Sequence, residues 1–153
     1  MEQIEFGGWI VECDVAGTRA AYATLPNGGS ELCGCLDCRN FAAARPYIFP
    51  PEAVATIERF GVNVAREDEA YELGPVDPDV SVPPGLILYG GWFFLTGRVT
   101  TEGSAPVDYG GGFTLYATGS PGPKPPSVFK DKPLARLEFH AHVPWVVNEP
   151  YPR

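Results

Sequence analysis

The run Leu86–Thr100 (LILYGGWFFLTGRVT) constrains the fold more than any other stretch of the chain. Ile87, Tyr89, Phe93, Leu95 and Val99 share one parity, and Leu86, Leu88, Trp92 and Phe94 share the other. A strand sends alternate side chains to opposite faces, so a segment apolar on both faces needs cover on both. That predicts a central strand or strand pair. Gly90-Gly91 inside it points to a bulge, a bend or a close backbone approach, and a glycine pair can also admit a ligand. Thr96, Arg98 and Thr100 turn a polar face outward later in the run.

The rest of the chain supplies partners for such a strand. Trp9–Val15 alternates, with Trp9, Val11, Cys13 and Val15 on one face, and is predicted as a half-buried strand. Gly17 and Thr18 then read as a turn, and Ala21–Leu25 as the returning strand of a first hairpin ended by Pro26-Asn27-Gly28-Gly29-Ser30. Phe113–Thr118 reads as another strand. Leu134–Val143 closes the fold, with Ala135, Leu137, Phe139, Ala141 and Val143 inward and Arg136, Glu138, His140 and His142 outward. After Pro144, Trp145–Val147 is expected to pack back onto the body.

Glycine and proline number 18 and 17 of 153 residues, which favours turns and short elements over long helices. Two short helices are nonetheless signalled. One starts near Leu36 or Asp37, runs through an Ala- and Arg-rich segment and stops at Pro46. The other has Pro51 in its first turn, apolar Ala53, Val54, Ile57 and Phe60, and Gly61 as its C-terminal cap. The expected architecture is α+β: a mostly antiparallel twisted sheet, as a sandwich or partial barrel, with a short two-helix insertion after the first hairpin. The whole chain, 1–153, reads as a single domain with the helical insertion at about 35–61.

Charge narrows the partners. The formal net charge of −8 repels phosphate backbones, and the 11 Lys and Arg are scattered, the densest run being Lys124–Lys132. Neither nucleic acid nor an anionic membrane surface is expected; another protein is the expected partner. No apolar run approaches the roughly 18–20 residues of a membrane-spanning helix. Met1–Gly8 lacks the pattern of a signal peptide, which makes the cytoplasm the expected compartment. The acidic run Arg66–Glu72, extended by Asp77 and Asp79, reads as a solvated loop rather than a paired-carboxylate site. Gly119–Ser127 reads as a connecting loop, with a polyproline docking surface as the alternative.

Chemistry concentrates in Cys33-Gly34-Cys35-Leu36-Asp37-Cys38-Arg39, which holds three of the four cysteines. In a reducing compartment, clustered cysteines serve as metal ligands or redox groups more often than as disulfides. A Cys-x-Cys-x-x-Cys spacing lets one loop offer several thiolates to zinc. Three reduced thiols without metal, or a redox Cys35–Cys38 pair at a helix start, are the alternatives. A fourth zinc ligand is sought at Cys13, His140 or His142; two histidines two apart on a strand project to the same side. Cys33–Arg39 resembles the zinc-knuckle motif of the glutathione-dependent formaldehyde-activating family. That family also carries a Gly-x-Cys-x-Cys-Gly segment and a later cysteine pair. Here only Cys13 precedes the motif and no cysteine follows Cys38. The resemblance implies thiolate ligation of zinc by Cys33, Cys35 and Cys38, and carries neither fold nor activity.

The expected function is therefore a small, soluble, non-enzymatic binding or interaction module with a structural zinc site. The competing expectation is a small metal- or thiol-dependent enzyme using Cys35 or Cys38 with His140 or His142. A third, a sheet face binding sugars through Trp92 or Trp145, rests on aromatic residues that suit a core equally well.

Overall fold

A computed structural model describes residues 1–77, 85–119, 122 and 124–152. It is an α+β fold built on a seven-stranded, open, twisted antiparallel sheet. The strands are β1 (Glu2–Phe6), β2 (Trp9–Cys13), β3 (Glu69–Pro75), β4 (Leu86–Thr101), β5 (Val107–Asp108), β6 (Thr114–Thr118) and β7 (Leu134–Pro144). Their order is β1-β2-β4-β7-β6-β5, and β3 pairs with the first half of β4.

β4 is the central strand its sequence predicts. It pairs with β7 from Leu86↔Pro144 to Thr96↔Leu134, with β3 over residues 87–92 and with β2 over 97–101. Both of its faces are covered. On one, Phe93 joins Phe139, Phe113 and Phe49 in a cluster of rings 5.4–6.1 Å apart. On the other, Phe94 meets Phe129, which packs edge-on against Tyr22. Gly90-Gly91 keeps regular register with β7, so there is no bulge; the close-approach alternative holds. A Cβ on Gly90 would come within 2.5 Å of the Tyr71 ring, and one on Gly91 would collide with Phe139.

Four short helices fill the segment between β2 and β3: α1 (Val15–Ala23), α2 (Gly29–Cys33), α3 (Leu36–Ala44) and α4 (Pro51–Arg59). This corrects the expected first hairpin and the two-helix insertion. The first hairpin is β1–β2, closed by Gly7 and Gly8 at positive φ. The segment predicted as a turn and returning strand is helix α1. Asp14 explains the switch: its Oδ1 accepts the Gly17 N–H at 2.9 Å and caps the helix, as carboxylates at this position do. Thr18, Ala21 and Tyr22, at spacings of three and four, then share a buried face. The Tyr22 hydroxyl donates to the Phe94 carbonyl at 2.7 Å and ties α1 to β4.

The later helices follow the sequence signals. α3 begins at Leu36; Pro46 lies in a single 3₁₀ turn, Arg45–Tyr47, that ends it. α4 has Pro51 in its first turn and buries Ala53 and Ile57, and Gly61 follows at φ +83°. Trp145 is buried, and the Val146 N–H donates to Asn40 Oδ1 at 2.7 Å, so the chain after β7 does return to the body.

The acidic run 66–72 is not a solvated loop. Glu67 is 1 % exposed and takes a buried ion pair with Arg45, and residues 69–75 form β3. Asp79 lies outside the described residues, as do parts of Gly119–Ser127. No helix among the described residues is long and apolar enough to cross a membrane.

Candidate metal centre

The three clustered cysteines sit where two helices meet head to tail. Cys33 is the last residue of α2, Cys35 is the N-cap of α3, and Cys38 lies in the first turn of α3. Gly34 makes the junction possible. It stands at φ +70°, ψ 2° as the left-handed C-cap of α2, a conformation glycine adopts without a Cβ penalty. The chain thereby reverses within one residue and turns all three side chains toward a common point. Their Sγ atoms all lie within 4.8 Å of one another. A tetrahedral thiolate site with bonds of about 2.3 Å needs sulfurs about 3.8 Å apart, so the three are set for a metal ion with small adjustments.

The surroundings of the three thiols differ. Cys33 and Cys35 are exposed, while Cys38 is buried against β3 with its Sγ 4.0 Å from the Ala70 carbonyl. The Cys33 thiol is held below its ordinary pKa, first by the backbone N–H of Cys35 and then by the Cys35 and Cys38 side chains. Cys38 is pushed well above its ordinary value, first by burial and then by its two sulfur neighbours. An arriving cation would reverse that second effect, because a metal stabilises a coordinated thiolate outright.

Two anchors hold the junction. From the α2 side, Glu67 accepts from Ser30 N at 3.2 Å, from the Ser30 hydroxyl, and from Arg45 Nη2 at 3.0 and 2.9 Å. Gly29 N donates to the Glu67 carbonyl at 2.7 Å, and a Cβ on Gly29 would collide with the Asp68 carbonyl. Glu31 closes the start of α2 by accepting the Gly28 N–H at 3.1 Å and pairs with Arg45 at 3.2 Å. From the α3 side, Phe41 stacks on Phe139, and the Tyr89 hydroxyl donates to the Asp37 carbonyl at 2.8 Å. Arg39 forms a two-pronged pair with Glu149 at 2.9 and 2.7 Å. The Asp37 carboxyl is raised by burial and by Glu72.

The other predicted ligands lie elsewhere. Cys13 is fully buried on β2, with its Sγ 3.5 Å from the Phe60 carbonyl and 3.9 Å from Thr18 Oγ1. It is a core thiol. Phe139 of β7 faces α3 through Phe41, so His140 and His142, one residue to either side of Ala141, occupy the opposite face of the sheet. The His142 ring packs against Gly112. Among the described residues, Cys33, Cys35 and Cys38 are the one group of His, Cys, Asp or Glu side chains assembled closely enough to hold a metal. Both histidines and all four cysteines of the chain are within the described residues. No histidine or further cysteine of the chain joins them, and the Cys35/Cys38–His140/His142 pairing is not formed.

The Arg45–Glu67 pair was missed in the sequence because the partners are 22 residues apart and each sits in a charged stretch that suits a surface. Gly28-Gly29 at the start of α2 was a signal that something packs there closely.

The aromatic residues proposed for sugars hold structural roles. Trp92 Nε1 donates to Asp68 Oδ2 at 2.9 Å under the Arg136 guanidinium, and Trp145 Nε1 donates to the Glu149 carbonyl at 2.7 Å. Arg136, expected on the outer face, is 8 % exposed because Trp92 and Glu138 enclose it. Comparison with protein-family models, with curated proteins and with solved structures finds no match to this chain. The likeness to the formaldehyde-activating family therefore rests on the seven residues Cys33–Arg39.

Proposed function

We propose that this chain is a non-enzymatic binding module that carries one zinc ion on Cys33, Cys35 and Cys38 and works by docking another protein in the cytoplasm. The observation that carries the reading is the convergence of three Sγ atoms within 4.8 Å at a turn fixed by two helix ends. Thiolates select zinc, copper(I) or iron–sulfur clusters, and tetrahedral thiolate-rich sites are those zinc commonly takes. The spacing matches neither common ferredoxin run. The chain's negative charge supports a protein rather than a nucleic acid as partner.

The thiol-enzyme reading loses its support because both histidines stand on the far face of the sheet. The test is the metal content of the purified, untagged chain. One zinc per chain is expected, with the content lost in Cys33→Ser, Cys35→Ser and Cys38→Ser and retained in Cys13→Ser. A chain that takes up no metal in any preparation, with variants as stable as the parent, sinks the proposal. Removal of the ion is expected to leave the chain folded, since the main aromatic core forms without Cys33 or Cys35 and the junction is anchored by Glu67, Phe41 and Tyr89.

A further inference from the structure

The metal reading leaves one coordination position open, and we infer that a neutral imidazole, from a histidine of a partner protein, fills it. The inference rests on that reading and adds the partner's chemistry. Zinc in thiolate sites takes four ligands, and the described residues offer three. Its two histidines and its remaining cysteine are all placed, and none is near. Two of the three thiols are exposed, so the cluster is reached from solvent.

Charge selects the donor. A divalent ion with three thiolates carries a net charge of −1. The chain as a whole stands at −8. Arg39, next to Cys38 in the chain, already holds both oxygens of Glu149. An anionic fourth ligand, a carboxylate or a fourth thiolate, would bring like charge into this surface, which is costly where water is partly excluded. Imidazole adds no charge and is a favoured zinc ligand. The partner is assigned to a different chain because His142 is packed on Gly112 and His140 is half-buried on the same strand.

The experiment uses the full chain loaded with cobalt(II), whose visible spectrum reports the ligand set. Thiolate-to-cobalt charge-transfer bands that weaken in Cys33→Ser test the metal reading itself. Imidazole and N-acetylhistidinamide are then titrated in, beside azide, a nitrogen donor with a negative charge. Both imidazoles are expected to shift the ligand-field bands saturably with one equivalent bound, at least about tenfold more tightly than azide. If the charge-transfer bands form and neither imidazole moves the ligand-field bands, or azide binds more tightly, the inference falls and the metal reading stands. If the bands never form, both fall. A metal-dependent dimer in sedimentation that disappears in His140→Gln/His142→Gln would put the imidazole on a second copy and overturn the assignment to a different chain.

Discussion

Replacing Arg45 by methionine should destabilise this chain strongly. Arg45 Nη2 meets both oxygens of Glu67, whose side chain is 0 % exposed. The substitution keeps the apolar length of the side chain and removes the charge. It leaves a carboxylate without access to water, held only by the Ser30 N–H and hydroxyl. Breaking a buried pair from one side costs about 3–5 kcal/mol, because the remaining charge is uncompensated. For a chain of this length, that is a fall in Tm of roughly 6–20 °C. Urea denaturation followed by far-UV circular dichroism gives the number. The double variant Arg45→Met/Glu67→Met removes both charges, and should recover part of the loss, with a coupling energy of about 1–3 kcal/mol between the two sites. A loss below about 1 kcal/mol for Arg45→Met, the range of an exposed pair, would refute the reasoning. So would single effects that simply add. Because Ser30 and Glu31 of α2 share this network, the same variant should also weaken metal uptake at Cys33, read by competition with a colorimetric chelator.

Three further outcomes follow from the geometry. Gly34→Ala puts a Cβ at φ +70° in open space, so only backbone strain is felt: about 1–2 kcal/mol of stability in denaturant titration, with Gly34→Asn milder. Gly91→Ala forces a Cβ onto the Phe139 ring and the Glu69 carbonyl in the middle of the sheet, and should cost about 1–3 kcal/mol or prevent folding, seen as loss of dispersed amide resonances. Burial pushes the Cys13 thiol up to about 11 from an ordinary value of 9.0. The folded chain therefore keeps a proton that the unfolded chain releases, so this contribution is intact below about pH 9 and is lost as pH rises toward about 11. Cys13→Ala should flatten that alkaline slope in pH-dependent unfolding, and the parent thiol should resist alkylation at neutral pH until the chain is unfolded.

What could be read in the sequence was what local pattern decides. The two-faced apolar run became β4, the alternating run at 134–143 became β7, and the proline–glycine bracket around Ala53 and Ile57 became α4. The cysteine spacing also survived as a cluster, since three residues within six positions can hardly separate far. What failed depended on competition between local choices or on distant partners. Val15–Ala23 carries β-compatible residues, and the capping bond from Asp14 to Gly17 tips it to helix. Glu67 sits in an acidic run, and only the arrival of Arg45 and Ser30 permits its burial. The face on which His140 and His142 lie was visible as a parity, but the side of the sheet taken by α3 was not. That choice alone separates them from the cysteines.

The position of Gly34 between two helix ends has a kinetic consequence. The thiols are gathered by backbone geometry whose support comes from Phe41, Tyr89 and Glu67, so the site exists before an ion arrives. The ordering entropy of the ligand loop is spent when the chain folds rather than when the ion binds. An ion held there would load and leave without a folding step, at rates set by ligand exchange at an exposed surface. Such a site would let an ion, or a fourth ligand, be exchanged many times within the lifetime of one folded molecule.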